Sequence, residues 1–126
     1  MARILIVDDD PDIVESVTMV LQKNNHEVLQ AYGGVEGLEK AKKEKPDAII
    51  LDVMMPDKDG YEVCKELKGD ASYRDIPILL LTAVVSKIPS TTYTHRMGME
   101  TEADDYVDKP VEPTELVRLV ERLLKQ

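Results

Sequence analysis

Ile4-Leu5-Ile6-Val7-Asp8-Asp9-Asp10 is followed by Pro11 and then by Ile13, Val14, Val17, Val20 and Leu21 at helical spacing. Four consecutive apolar residues closed by acidic ones read as a short strand covered on both faces. The five that follow mark one stripe of an amphipathic helix. Pro11 suits the helix start, and Asp12 sits where the positive end of the helix dipole favours a carboxylate. A buried strand running directly into a helix is the building unit of a parallel α/β sheet.

The same alternation continues along the chain. Apolar runs recur at Val28–Ala31, Ala48–Leu51, Ile78–Leu81 and Asp105–Val107, the second and fifth of the set being the weakest. Between them, Val35, Leu38 and Ala41 predict a helix ended by Pro46, and Tyr61, Cys64 and Leu67 predict one ended near Gly69. Leu116, Val117, Val120, Leu123 and Leu124 predict a last helix after Pro113. Right-handed crossovers then place helices on both faces of the sheet. No repeat or linker interrupts the pattern, so residues 1–126 read as a single domain. Val84–Ala103 fits least well, since Pro89, Gly98 and Ser90-Thr91-Thr92-Tyr93-Thr94 are poor helix formers. A long structureless loop is improbable in so small a domain, which predicts a short or displaced helix in Ser90–Met97.

Composition narrows the function. The 126 residues carry 25 Asp and Glu against 16 Lys and Arg, a formal charge of −9, which argues against direct contact with nucleic acid. Hydrophobic residues at 43% are enough for a core, while the longest apolar runs are far too short for membrane insertion. The N-terminal run reaches acidic residues too early for a secretory leader, so a cytoplasmic location is expected. Cys64 stands alone and reads as a small buried apolar residue. The lysines 40, 42, 43 and 45 alternate with Glu39 and Glu44 as a solvated helix face does, and His26 and His95 read as surface residues.

In open α/β sheets ligands bind beyond the carboxyl ends of the strands. The residues closing the runs are Asp8, Asp9, Asp52, Thr82 and Lys109. Three carboxylates on one edge repel unless a proton, a lysine or a metal intervenes, and hard oxygen donors suit Mg²⁺.

These residues carry a resemblance. Ile4-Leu5-Ile6-Val7-Asp8-Asp9-Asp10, Ile50-Leu51-Asp52-Val53-Met54-Met55-Pro56, Leu81-Thr82-Ala83 and Ala103-Asp104-Asp105-Tyr106-Val107-Asp108-Lys109-Pro110 resemble, in that order, the receiver domain of two-component response regulators. The resemblance implies a flavodoxin-like, doubly wound sheet of five parallel strands in the order 2-1-3-4-5. It also implies that Asp52 accepts a phosphoryl group from a phosphohistidine on a sensor histidine kinase or histidine phosphotransfer protein. Asp8, Asp9, Asp52 and the backbone carbonyl of Met54 would hold Mg²⁺. Lys109 would offset charge developing on the phosphoryl oxygens. Thr82 and Tyr106 would form the switch that signals to a downstream protein target, and Pro110 suggests a cis peptide after Lys109.

Other expectations come from departures and neighbours. Thr82 to Lys109 is longer than the family's spacing by about five residues, a length that loop-closure entropy tolerates. The region of the family's fourth helix is therefore atypical, and we expect it to order on phosphorylation or partner binding. Met54 and Val84, at positions that tune phosphate lifetime in the family, are both apolar and predict a long-lived phosphorylated state. Asp57 reads as a solvated loop residue, and Gly60 as a residue permitting the turn into the next helix. The chain ends soon after its last helix, which suggests a stand-alone receiver. It reads as a phosphoacceptor rather than a multiple-turnover enzyme, with self-catalysed phosphorylation and dephosphorylation left open. The alternatives are a receiver-like docking scaffold that is not phosphorylated and a Mg²⁺-dependent aspartyl phosphatase. The phosphatase would want a further acid or base near Asp52, which the sequence does not offer.

Overall fold

The computed structural model describes residues 2–82 and 103–125. Strands β1 (Arg3–Val7), β2 (Glu27–Ala31), β3 (Ala48–Asp52), β4 (Ile78–Thr82) and β5 (Asp105–Asp108) form one parallel sheet in the order β2-β1-β3-β4-β5. Among the described residues there are four helices, α1 (Pro11–Lys23), α2 (Gly34–Glu44), α3 (Gly60–Lys68) and α4 (Pro113–Leu124). The helix expected in Ser90–Met97, with Val84 and His95, lies outside the described residues.

The continuous apolar runs follow from burial on both faces. Alternate strand residues Leu5, Val7, Ile49, Leu51, Ile78 and Leu80 pack in one core layer with α2 and α3 residues such as Ala41, Cys64 and Leu67. Their neighbours Ile4, Ile6, Ala48, Ile50, Leu79 and Leu81 pack in the opposite layer with Val14, Val17 and Leu21 of α1 and Leu116, Val117 and Val120 of α4. The weak runs are β2 and β5, the two edges of the sheet, where neither strand is buried along its whole length.

Helix α2 departs from the expected stripe. Ala41 is buried and Leu38 packs against the core as expected, but Val35 is 47% exposed, and Gly34 and Gly37 complete the buried face. The helix lies so close to the sheet that a Cβ on Gly37 would meet Val7 Cγ1 at 2.7 Å, so small residues rather than bulky ones make this contact. His26 is likewise no surface residue. Its side chain is 9% exposed, with Nδ1 accepting from the Ala2 amide at 3.2 Å and Nε2 2.8 Å from Glu121 Oε2. An accepting Nδ1 places the neutral ring's proton on Nε2, which then donates to the carboxylate of α4.

Candidate functional site

Strand register brings the acidic residues together. Ile6 pairs with Ile50 and Val7 with Leu51, so Asp8 and Asp52, each the next residue along, emerge side by side at the carboxyl edge. Both are buried, while Asp9 is exposed. Backbone hydrogen bonds continue the ladders past the strands: Asp8 donates its amide to the Ala31 carbonyl at 3.1 Å, Val53 to Leu81 at 3.0 Å and Lys109 to Thr82 at 2.7 Å. Asp8, Asp9 and Asp52 each place a carboxylate oxygen within 4.8 Å of the others.

Lys109 Nζ reaches into this cluster, 3.0 Å from Asp8 Oδ2 and 2.9 Å from Asp52 Oδ1. One ammonium does not neutralise three carboxylates. Burial pushes the Asp52 carboxyl up to about 6, opposed by Lys109 and reinforced by the charges of Asp8 and Asp9. Burial also raises Asp8, against the pull of the Asp10 amide and Lys109. For Lys109, burial favours the neutral amine, but its close pairing with the Asp52 and Asp8 carboxylates outweighs it and holds the group above its ordinary range.

The donor set fits a hard divalent cation. Asp8 Oδ1 accepts from the Asp10 amide at 2.9 Å, whereas Asp8 Oδ2 is buried and has no hydrogen-bond partner among the described residues. The Lys109 ammonium is close enough to Oδ2 for an ion pair without meeting hydrogen-bond geometry. A buried carboxylate oxygen with spare acceptor capacity, beside two further carboxylates, suits an ion that binds oxygen and keeps some of its waters.

The loop after β3 is held from two sides. Asp59 caps α3, its side chain accepting from the Glu62 amide at 2.9 Å. Gly60 does not adopt a positive φ. Its role is close approach, since a Cβ there would lie 2.4 Å from the Asp52 carbonyl oxygen. Asp57 is not simply solvated either. Its Oδ1 accepts from Gly34 N at 3.0 Å and Oδ2 from Val35 N at 3.1 Å, capping α2, whose own N-cap Gly33 has no side chain to do so. These amides hold the Asp57 carboxyl below its ordinary value. The signal that sequence reasoning missed was this uncapped Gly33-Gly34 start, which calls for an acceptor from elsewhere.

Thr82 is buried at the end of β4 and paired in register with Asp108. Tyr106, paired with Leu80, shares the sheet face of Thr82 and is 40% exposed. Met54 follows Asp52 by two residues and is 63% exposed. The Lys109–Pro110 peptide is cis. The structure thus brings Asp8, Asp9, Asp52 and Lys109 together, with Thr82 and Tyr106 on the adjoining strands.

Residues 4–121 match the response regulator receiver domain family, and the chain belongs to it. It is 40% identical, over its full length, to the DNA-binding dual master transcriptional regulator RpaA of Synechocystis, of which the match covers 50%. The chain thus spans about half the length of the curated relatives it matches. Among solved structures, a putative response regulator from Chloroflexus aurantiacus shares 38% identity with a TM-score of 0.86, covering 99% of this chain and 98% of that one. The signal receiver domain of a histidine kinase from Syntrophus aciditrophicus shares 34% identity with a TM-score of 0.89, covering 99% and 91%. This is a response regulator receiver domain, the module that accepts phosphoryl groups in two-component signalling. Among the described residues no helix is long and apolar enough to cross a membrane.

Proposed function

We propose that Asp52 is the phosphoacceptor of this receiver and that the donor is a phosphohistidine on a sensor histidine kinase or a histidine phosphotransfer protein. An Asp52 carboxylate oxygen attacks phosphorus; the P–O bond forms as the P–N bond breaks, and the electron pair returns to the imidazole nitrogen. With its pKa near 6, Asp52 is mostly ionised at neutral pH and needs no base. Asp8, Asp9, Asp52 and the Met54 backbone carbonyl would hold Mg²⁺, which when bound neutralises charge on the phosphoryl oxygens. The Lys109 ammonium offsets the same charge from the protein side. Thr82 then turns to a phosphoryl oxygen and Tyr106 moves with it, so that β5 reports the modification to a protein target.

The observation that carries this reading is Lys109 Nζ, held within 3.0 Å of two buried carboxylates at one sheet edge. We take residues 1–126 as one receiver unit in the cytoplasm. The acidic balance speaks against its touching nucleic acid directly, although RpaA is named as DNA-binding.

Incubation with Mg²⁺ and a small acyl phosphate tests it by intact mass. One added phosphoryl group is expected, absent in Asp52→Asn and with chelator. An adduct of equal yield in Asp52→Asn refutes the assignment. No adduct, with Mg²⁺ binding shown separately, favours a docking scaffold, and multiple turnover on a phosphate ester favours a phosphatase.

A further inference from the structure

The Thr82 hydroxyl is already engaged in the unmodified protein. Its Oγ1 donates to Asp108 Oδ1 and lies 3.3 Å from the Val107 carbonyl oxygen. A hydroxyl has one proton, and the nearer, charged acceptor takes it, since hydrogen bonds to carboxylates are the stronger kind. Register explains the pairing, because Thr82 and Asp108 are direct partners across β4 and β5 and so present their side chains on the same face. Lys109, one residue on, reaches instead to Asp8 and Asp52. Consecutive residues of β5 and its continuation thus hold the two groups that the phosphorylated site needs, Lys109 with its ammonium at the carboxylates and Asp108 with the Thr82 hydroxyl as its donor.

We infer that Asp108 is a positioning residue that acts as a brake on the switch, competing with the phosphoryl group for the Thr82 hydroxyl. The inference rests on the reading of Asp52 as phosphoacceptor and Thr82 as switch, and it adds a residue which sets how far the unmodified state is favoured. Thr82 reaches a phosphoryl oxygen only after its hydrogen bond to Asp108 breaks. That cost is charged against every ligand that needs the hydroxyl and against none that does not. A carboxylate here can also act as plain negative charge near an anionic ligand, an effect that does not depend on Thr82.

Beryllium trifluoride with Mg²⁺, a mimic of a phosphoryl group on a carboxylate, distinguishes the two. Its affinity is read by fluorine NMR or calorimetry for the wild type, Asp108→Ala, Asp108→Asn, Thr82→Ala, the double variant Thr82→Ala/Asp108→Ala, and Asp52→Asn. Asp108→Ala is expected to bind about three- to tenfold more tightly, the order of one hydrogen bond to a charged but exposed acceptor. Asp108→Asn, which keeps an acceptor oxygen, should fall between it and the wild type, and the gain should vanish in the Thr82→Ala background. Equal gains with and without Thr82, or an Asn variant equal to the Ala variant, would show a charge effect and overturn the brake. An unchanged affinity in Asp108→Ala would overturn it too. If Asp52→Asn binds the mimic as the wild type does, the site reading fails and the brake with it, whereas loss of binding in Asp52→Asn with no Thr82 coupling removes only the brake.

Discussion

Lys109 Nζ stands 2.9 Å from Asp52 Oδ1 and makes the same kind of ion pair to Asp8, so one cation is shared by two buried carboxylates with a third close by. The excess of negative charge dictates how the site responds to acid, to cations and to substitution.

Acid should stabilise the metal-free protein through Asp52. Its carboxyl titrates near 6 in the folded chain against an ordinary value of 3.8, so the folded state holds the proton more tightly. The corresponding stability is fully present below about 3.8 and is lost as pH rises through about 6. In chelator, urea midpoints measured at pH 5 and pH 7 should show the wild type losing ground to Asp52→Asn on going to the higher pH. Parallel behaviour of the two proteins would mean that Asp52 is not the strained group.

A divalent cation should relieve the same excess. Mg²⁺ at about 100 times its Kd is expected to add about 2.7 kcal/mol to folding stability by mass action. Asp9→Ala, which removes an exposed donor with little effect on packing, should weaken that response in a Mg²⁺ titration followed by thermal unfolding. An undiminished response would take Asp9 out of the cation site.

Gly60→Ala probes the support beneath Asp52. The added methyl meets the Asp52 carbonyl oxygen at 2.4 Å, and backbone cannot swing aside as a flexible side chain can. A loss of about 1–3 kcal/mol is expected in chemical denaturation, with slower phosphorylation of what remains folded. A variant as stable as the wild type would show that the loop yields without disturbing the site.

Much of this was legible beforehand because strands buried on both faces leave few choices. Ile4–Val7, Ala48–Leu51 and Ile78–Leu81 announced themselves as unbroken apolar runs, each ending where a candidate site residue begins. Edge strands β2 and β5 were fainter since they are only partly buried. What escaped the sequence depends on register and close approach. Val35 fits a helical stripe but is exposed, because α2 comes down on glycines. Nothing local says that Asp57 caps a helix whose N-cap lies 24 positions earlier, or that Asp108 faces Thr82, until the strands and loops are set beside each other.

The Asp57 cap makes its own prediction. Asp57→Ala should cost about 1 kcal/mol, the ordinary effect of losing an N-terminal cap, and Asp57→Asn should recover part of it. Chemical denaturation reads this directly. No loss on truncation would return Asp57 to the status of a solvated loop residue.

The most direct test of the central claim is to locate the phosphoryl group chemically. After reaction with a small acyl phosphate and Mg²⁺, borohydride reduction converts a phosphorylated aspartate to homoserine, and peptide mass mapping shows which residue changed. Homoserine at position 52, and at no other aspartate, is the expected result. Conversion at Asp8, Asp9 or another carboxylate, with Asp52 intact, would contradict the assignment of Asp52 as the phosphoacceptor.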